Sequence, residues 1–199
     1  YTRAQSNYVI KCLTIPSLPN NEGAIRPITV SAPENCILNA QPPWPTGGRH
    51  SVGHFVVPLL MGALAEALPD KVQADTAMMN VLSVQGRHRD GEEVSSLFFL
   101  AGGLGAMQGI SGRAVTPAPS NMTVVPTEIW ENRTSMTIER RQILPGTGGK
   151  GRWPGGDGQE VVFGNDAGHR FEFALMGQRT EFPAKGFAGG GYGALRCFE

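Results

Sequence analysis

The sequence predicts an α+β fold in which an N-terminal helical third precedes a β-rich, mostly antiparallel region with glycine-rich loops. Three observations predict it. Residues 51–68 place Val52, Phe55, Val56, Leu59, Leu60, Ala63, Leu64 and Ala67 at helical spacing, the pattern of a helix with one apolar stripe facing a core. After Lys71 the chain turns to short β-leaning runs, and residues 137–141 and 170–175 alternate with the period of half-buried strands. Glycine clusters recur at 102–112, 146–158 and 186–193. The expected organisation is one portion, 1–199, with a helix-containing part at 1–75 and a β-rich part at 76–199.

Taken in order, residues 2–14 form the first predicted helix. Thr2 is its cap, Ala4, Tyr8 and Cys12 recur every fourth residue, and Pro16 and Pro19 stop it. Residues 18–23 read as a turn by composition. Residues 24–31 read as a short strand that Pro27 confines to an edge or bulge, and 36–39 as another. The proline-rich stretch 41–48 is a stiff loop leading into Arg49 and His50. Ser51 caps the helix of 51–68, where Pro58 either kinks it or marks its true start. Burial of its stripe is worth roughly 1.5–3 kcal/mol per large side chain. Strands are then expected at 78–85, 95–100, 122–125, 135–144, 159–164, 169–176 and 180–182.

Composition excludes several function classes. The formal net charge is zero, so nothing draws the chain to nucleic acid or an anionic membrane. No run approaches the ~18 apolar residues of a membrane span. The three cysteines, Cys12, Cys36 and Cys197, are odd in number and far apart. They suit a reducing compartment and lack the paired spacing of zinc or redox sites. With no signal peptide visible, a cytoplasmic location is expected. The first residue is Tyr1 rather than methionine, so a fragment or processed product is expected.

The most unusual stretch runs from 145 to 158, where seven of fourteen residues are glycine. Such a run is entropically costly unless the backbone needs it for positive φ or a close approach. Its apolar flanks, among them Ile143, Leu144, Val161 and Phe163, predict an ordered loop between two strands rather than a linker. Residues 146–151 match G-x-G-x-x-G, but Pro154, Gly155 and Gly156 follow at once, so no helix opens and the dinucleotide reading fails. A phosphate-binding P-loop also fails, because Leu144 and Gly151 stand where glycine and Ser or Thr are required. Gly148, Gly149, Gly151, Arg152 and Asp157 remain as a candidate substrate- or partner-facing loop.

His50 and His54 are four residues apart, a spacing that two metal ligands on one helical face adopt. The nearest carboxylates, Glu34, Glu66 and Asp70, lie too far along the chain to complete a set. Helix-end histidines contacting backbone or a partner subunit are the preferred reading, and no metal is expected in this segment. Arg49, His50 and His54 are kept as candidate catalytic residues. Glu92-Glu93 and the pair Glu128 and Glu131 read as solvated edges, and no Gly-x-Ser-x-Gly elbow occurs.

The order of segments carries a resemblance. Residues 18–28 resemble Pro-x-Asn-x-Gly-x-x-Arg-Pro-Ile, and 32–43 resemble Ala-Pro-x-Gly-x-x-Leu-Asn-Ala-x-x-Pro with Asn35 in place of glycine. Arg49-His50 leads into Ala63-Leu-Ala-Glu-Ala-Leu-Pro69. Pro126-Thr-Glu128 and the 145–158 stretch follow, the latter with Pro154 where arginine is usual, and then the cluster 186–193. This order is similar to the hydantoinase B/oxoprolinase family: B-type subunits of N-methylhydantoinases and 5-oxoprolinases, and the α-type subunits of acetone carboxylases. The resemblance implies the C-terminal part of a longer B-type subunit in an ATP-dependent system that opens a cyclic amide or carboxylates a ketone. It implies a divalent metal held by the N-terminal part of that subunit, ATP-Mg held by a separate A-type subunit, and a hetero-oligomer. It also implies that this segment alone binds neither cofactor and is inactive. A purely structural or assembly role is the alternative.

Overall fold

The computed structural model describes residues 1–199 as an α+β chain of two units, Tyr1–Ala74 and Asp75–Glu199. Helices are few and both sheets are antiparallel. No helix is long and apolar enough to cross a membrane.

The first unit holds α1 (Thr2–Thr14), α2 (Glu22–Ile25), α3 (Arg49–Gly53) and α4 (Val56–Ala63). The predicted helical third is thus helical only in parts, and 26–48 contains no helix. The range of α1 matches the expectation, but its cap and buried face do not. Thr2 Oγ1 donates to the Leu38 carbonyl, 2.7 Å away. Val9 and Leu13, not Ala4, Tyr8 and Cys12, are buried. The strand expected at 24–31 is absent. Asn21 Oδ1 instead accepts from the Ala24 amide at 2.9 Å and starts the single turn of α2, and Pro27 has no N–H to give a ladder. Asn21→Ala is expected to destabilise this unit by about 0.5–1 kcal/mol, read from urea unfolding. Residues 36–39 form a tight turn closed from the Asn39 amide to the Cys36 carbonyl, not a strand.

The helix predicted at 51–68 is two helices. Gly48, not Ser51, caps the first. The chain breaks at His54 and Phe55, and α4 restarts at Val56. Pro58 explains the break: its ring excludes the carbonyl four residues back, which belongs to His54, and its missing N–H is harmless in a first turn. Val56, Val57 and Met61 are buried, whereas Leu59 of the predicted stripe is 69% exposed.

The second unit holds β1 (Met79–Arg87), β2 (Glu93–Ala101), α5 (Thr127–Thr134), β3 (Met136–Leu144), β4 (Gly158–Asn165) and β5 (Glu172–Met176). One sheet has the order β2-β1-β5 and the other pairs β3 with β4. Leu82 pairs with Phe98 on one side and Leu175 on the other, so one face of the sheet is apolar. That face packs with Trp130 of α5 and Phe163 of β4. The rings of Phe98, Trp130 and Phe163 lie 4.9–5.4 Å apart, tilted or edge-on, the geometry aromatic quadrupoles favour. Residues 122–125 and 180–182 form no strand. Helix α5 falls where no helix is expected. Pro126 precedes it, Glu128 and Arg133 suit its two ends, and Ser135 stops it in the left-handed conformation. Glu131, expected at a solvated edge, accepts from the Ile138 amide at 2.7 Å and ties α5 to β3.

Candidate functional site

The stretch 145–157 joins β3 to β4 as an ordered loop. Three segments remote in sequence, 102–116, 147–158 and 184–194, interlock through their backbones here. The Gly156 amide donates to Leu104 O at 2.9 Å, Gly112 N to Pro154 O at 2.8 Å and Val115 N to Asp157 O at 2.9 Å. From the other side Gly191 N donates to Lys150 O at 2.7 Å and Ala194 N to Thr147 O at 2.9 Å. A Cβ on Gly103 would lie 1.7 Å from Gly156 O, and one on Gly148 2.2 Å from Gly155 O. Glycine is required because backbone meets backbone with no room for a side chain.

Asp157 acts inside this platform. Its Oδ1 accepts from Gly148 N at 2.8 Å, while Thr147 Oγ1 donates to Leu144 O and accepts from Gly158 N, both at 2.8 Å. Gly155 N donates to Gly149 O at 2.8 Å. The amides of Gly148, Gly155, Gly156 and Gly158 are therefore committed within the protein. The candidate substrate- or partner-facing part of the loop narrows to the tip, 149–153. There Gly151 and Arg152 are exposed and the Arg152 guanidinium lies 4.9 Å from the Trp153 ring centre, close enough for a cation–π contact. Neither Lys150 nor Arg152 has a carboxylate within ion-pair distance.

Arg49, His50 and His54 belong to the first unit, the glycine loop to the second. Arg49 is exposed at the start of α3 and donates to Thr46 O at 3.1 Å. His54 is only 3% exposed and its Nδ1 has no hydrogen-bond partner. Burial, and secondarily His50, pushes its imidazole below the ordinary value of 6.5. A group depressed in the folded state binds its proton more readily unfolded, so its contribution is full above 6.5 and lost as pH falls through the depressed value. Thermal melts are expected to drop as pH is lowered below about 6.5, and His54→Gln to flatten that slope.

No three His, Cys, Asp or Glu side chains are grouped closely enough to hold a metal ion. The residues present thus do not form a centre for the divalent metal that the resemblance implies.

A buried ionic cluster in the second unit is invisible in the sequence. Asp75 pairs with Arg179, and their side chains are 12% and 7% exposed. The Asp75 carboxylate also accepts from the amides of Thr76 and Lys185. Arg196 donates to Gln178 O at 2.9 Å and Ala77 O at 3.1 Å. Burial pushes Asp75 up and Arg179 down from their ordinary values, with the pairing opposing both. Burial, then repulsion from Arg179, lowers Arg196 to about 10. Asp75 and Arg179 stand 104 residues apart, and no local pattern signals them.

A family model described as Hydantoinase B/oxoprolinase matches residues 1–198. The 5-oxoprolinase PfmaA of Pestalotiopsis fici is 26% identical over 188 residues, covering 92% of this chain and 14% of its own length. A putative D-/L-hydantoinase B-type subunit of a Pseudomonas species is 31% identical over 150 residues, covering 74% of this chain and 25% of its own. Among solved structures, nucleotide-free acetone carboxylase aligns with a TM-score of 0.69 at 23% identity, covering 84% of this chain and 24% of that one. At that identity the likeness is one of fold. The chain spans between 14% and 25% of the length of these relatives.

Proposed function

Since the chain belongs to the hydantoinase B/oxoprolinase family, we propose that it is part of the B-type subunit of an ATP-dependent amidohydrolase that opens a cyclic amide such as a hydantoin, 5-oxoproline or a lactam. The family match over nearly the whole chain carries this reading. Part of an ATP-dependent ketone carboxylase subunit is the second reading, favoured by the shared fold with acetone carboxylase. On either reading an A-type partner binds ATP-Mg, further polypeptide of the B-type subunit supplies the divalent metal, and the assembly is a cytoplasmic hetero-oligomer.

A ring amide is resonance-stabilised, and ring opening develops negative charge on oxygen that fixed positive groups can stabilise. The contribution of this chain is positional. The interlocked platform fixes the 149–153 tip, and Arg152, braced on Trp153, directs a cation toward the active centre or the partner subunit. The test is ATP hydrolysis by the full-length B-type subunit together with its A-type partner. Hydantoins, 5-oxoproline and lactams are compared with ketones plus bicarbonate. Ring amides are expected to stimulate turnover; stimulation by ketones alone would favour the carboxylase. Arg152→Gln is expected to lower turnover by about tenfold or more while leaving stability within about 0.5 kcal/mol. Unchanged turnover in that variant would remove the loop from the site and leave the family reading intact.

A further inference from the structure

The three-stranded sheet of the second unit buries one face. Leu82, Val84 and Phe98 belong to the core around Trp130. Alternation sends the next residue of each strand to the opposite face, and the register sets these residues in rows. Leu97 and Ala174 flank Ser83, and Phe99 and Met176 flank Val81. Leu97 is 48% exposed, Met176 is 39% exposed, and Ala174 is exposed as well. Ser95, Gln85 and Glu172 form the next row and bound this apolar patch with polar groups.

Strand β5 also ends the sheet. The strand order is β2-β1-β5, and β5 is bonded to β1 alone. Its outer edge therefore presents backbone N–H and C=O groups with no strand beside them. Edges of this kind are ordinarily defended by lysine, proline or a bulge. β5 reads Glu-Phe-Ala-Leu-Met and pairs with β1 in unbroken register, so it has none of these. Phe173, on the other face, is 50% exposed. The edge is thus apolar above and below.

The area of the molecule points the same way. The chain exposes 12300 Å². A self-contained monomer of this mass exposes roughly 9,000 Å², and two separate units of these lengths about 11,000 Å². On either count the excess is above about 1,000 Å², more than one partner contributes to a standard interface. The relatives extend well beyond the matched region, since this chain spans 14% to 25% of their length. Two copies joined edge to edge at β5 would engage five residues of strand from each and leave the Leu97 row uncovered. The excess calls for a larger covering polypeptide.

We propose that a further segment of the same B-type polypeptide pairs with β5 as a fourth strand. It is extended and apolar on both faces, and its side chains pack on Phe173 on one face and on Leu97, Ala174 and Met176 on the other. Main-chain bonds to an open edge hold the segment, and the apolar side chains on either face select it. The proposal rests on this chain being part of a longer B-type subunit, and not on whether that subunit acts on a ring amide or a ketone.

The test is hydrogen exchange, resolved to single amides, on the full-length B-type subunit without its A-type partner. An edge strand protects alternate amides, whereas a central strand protects every one. All the amides from Phe173 to Met176 are expected to exchange about a hundredfold or more slowly than unstructured chain. Met176 is expected to be oxidised by peroxide about tenfold or more slowly than in the urea-unfolded subunit. Phe173→p-benzoylphenylalanine identifies the occupant, and its photo-cross-link is expected within one polypeptide. Alternating protection along β5, oxidation of Met176 at the unfolded rate, or a cross-link only between two copies would overturn the proposal. The exchange and oxidation measurements need no variant. Protection of β5 in a subunit that ring amides do not stimulate would count against the ring-opening reading alone; stimulation with an unprotected β5 would count against this interface alone.

Discussion

Alanine at position 156 is expected to destabilise the β-rich unit by about 3 kcal/mol or more. Its Cβ would stand 2.0 Å from Arg113 O, 2.3 Å from Arg113 C and 2.8 Å from Ala114 N. These are backbone atoms, and they are not free to retreat. Arg113 O accepts from Leu104 N, and Val115 N is held by Asp157 O. Relief requires the separation of two segments rather than a rotamer change. Urea unfolding of Gly156→Ala checks this beside Gly151→Ala, where the nearest atom is 3.6 Å away and a change within about 0.5 kcal/mol is expected. Similar losses in both variants would show that close approach is not the reason for glycine at 156.

Asp75→Ala is expected to cost about 3–5 kcal/mol, because it strands a buried charge. Arg179 is 9% exposed and already repels Arg196. Without Asp75 these two largely buried guanidinium groups lose the carboxylate that balances them. The backbone link from Asp75 N to Lys185 O, at 3.2 Å, would be retained. Asp75→Leu combined with Arg179→Met is expected to recover part of the loss, since removing both members of a buried pair leaves no unpaired charge, while the Thr76 and Lys185 amides lose their carboxylate acceptor. A double-mutant cycle by chemical denaturation measures the coupling. Additive losses would mean that the pair is not linked energetically.

Features set by neighbours in sequence are legible in this chain. The end of α1 follows from Pro16 and the polar turn beyond it. Four of the seven predicted strands overlap β1 to β4 closely, because alternation and flanking turns are short-range signals. His169 is expected at the start of a strand, but β5 begins at Glu172. The runs at 122–125 and 180–182 form no strand because a strand needs a neighbour. Val125 O is occupied by the Arg141 side chain instead. The inner face of 51–68 differs from the predicted stripe, since an all-apolar segment such as Val56–Ala63 gives periodicity no contrast to work with. The 145–158 stretch is legible as an ordered strand connection from its flanks. Its purpose is not: the atoms that require glycine at 149 and 156 belong to Gly191 and Arg113, which only the folded chain brings near. For the same reason Asp75, Arg179 and Arg196 leave no trace in spacing or composition.

The interlocked platform also dictates an order of events during synthesis. Its parts come from 102–116, 147–158 and 184–194, so every closing contact spans tens of residues. Loop closure of that kind costs entropy before its contacts form, and such topologies form slowly. The β3–β4 hairpin can pair as soon as Asn165 has left the ribosome, but Thr147 and Lys150 gain their last partners only after Gly191 and Ala194 have emerged. Until then the nascent β-rich unit exposes an open glycine seam. A chain stalled or cleaved before residue 184 is thus a natural substrate for chaperones and proteases.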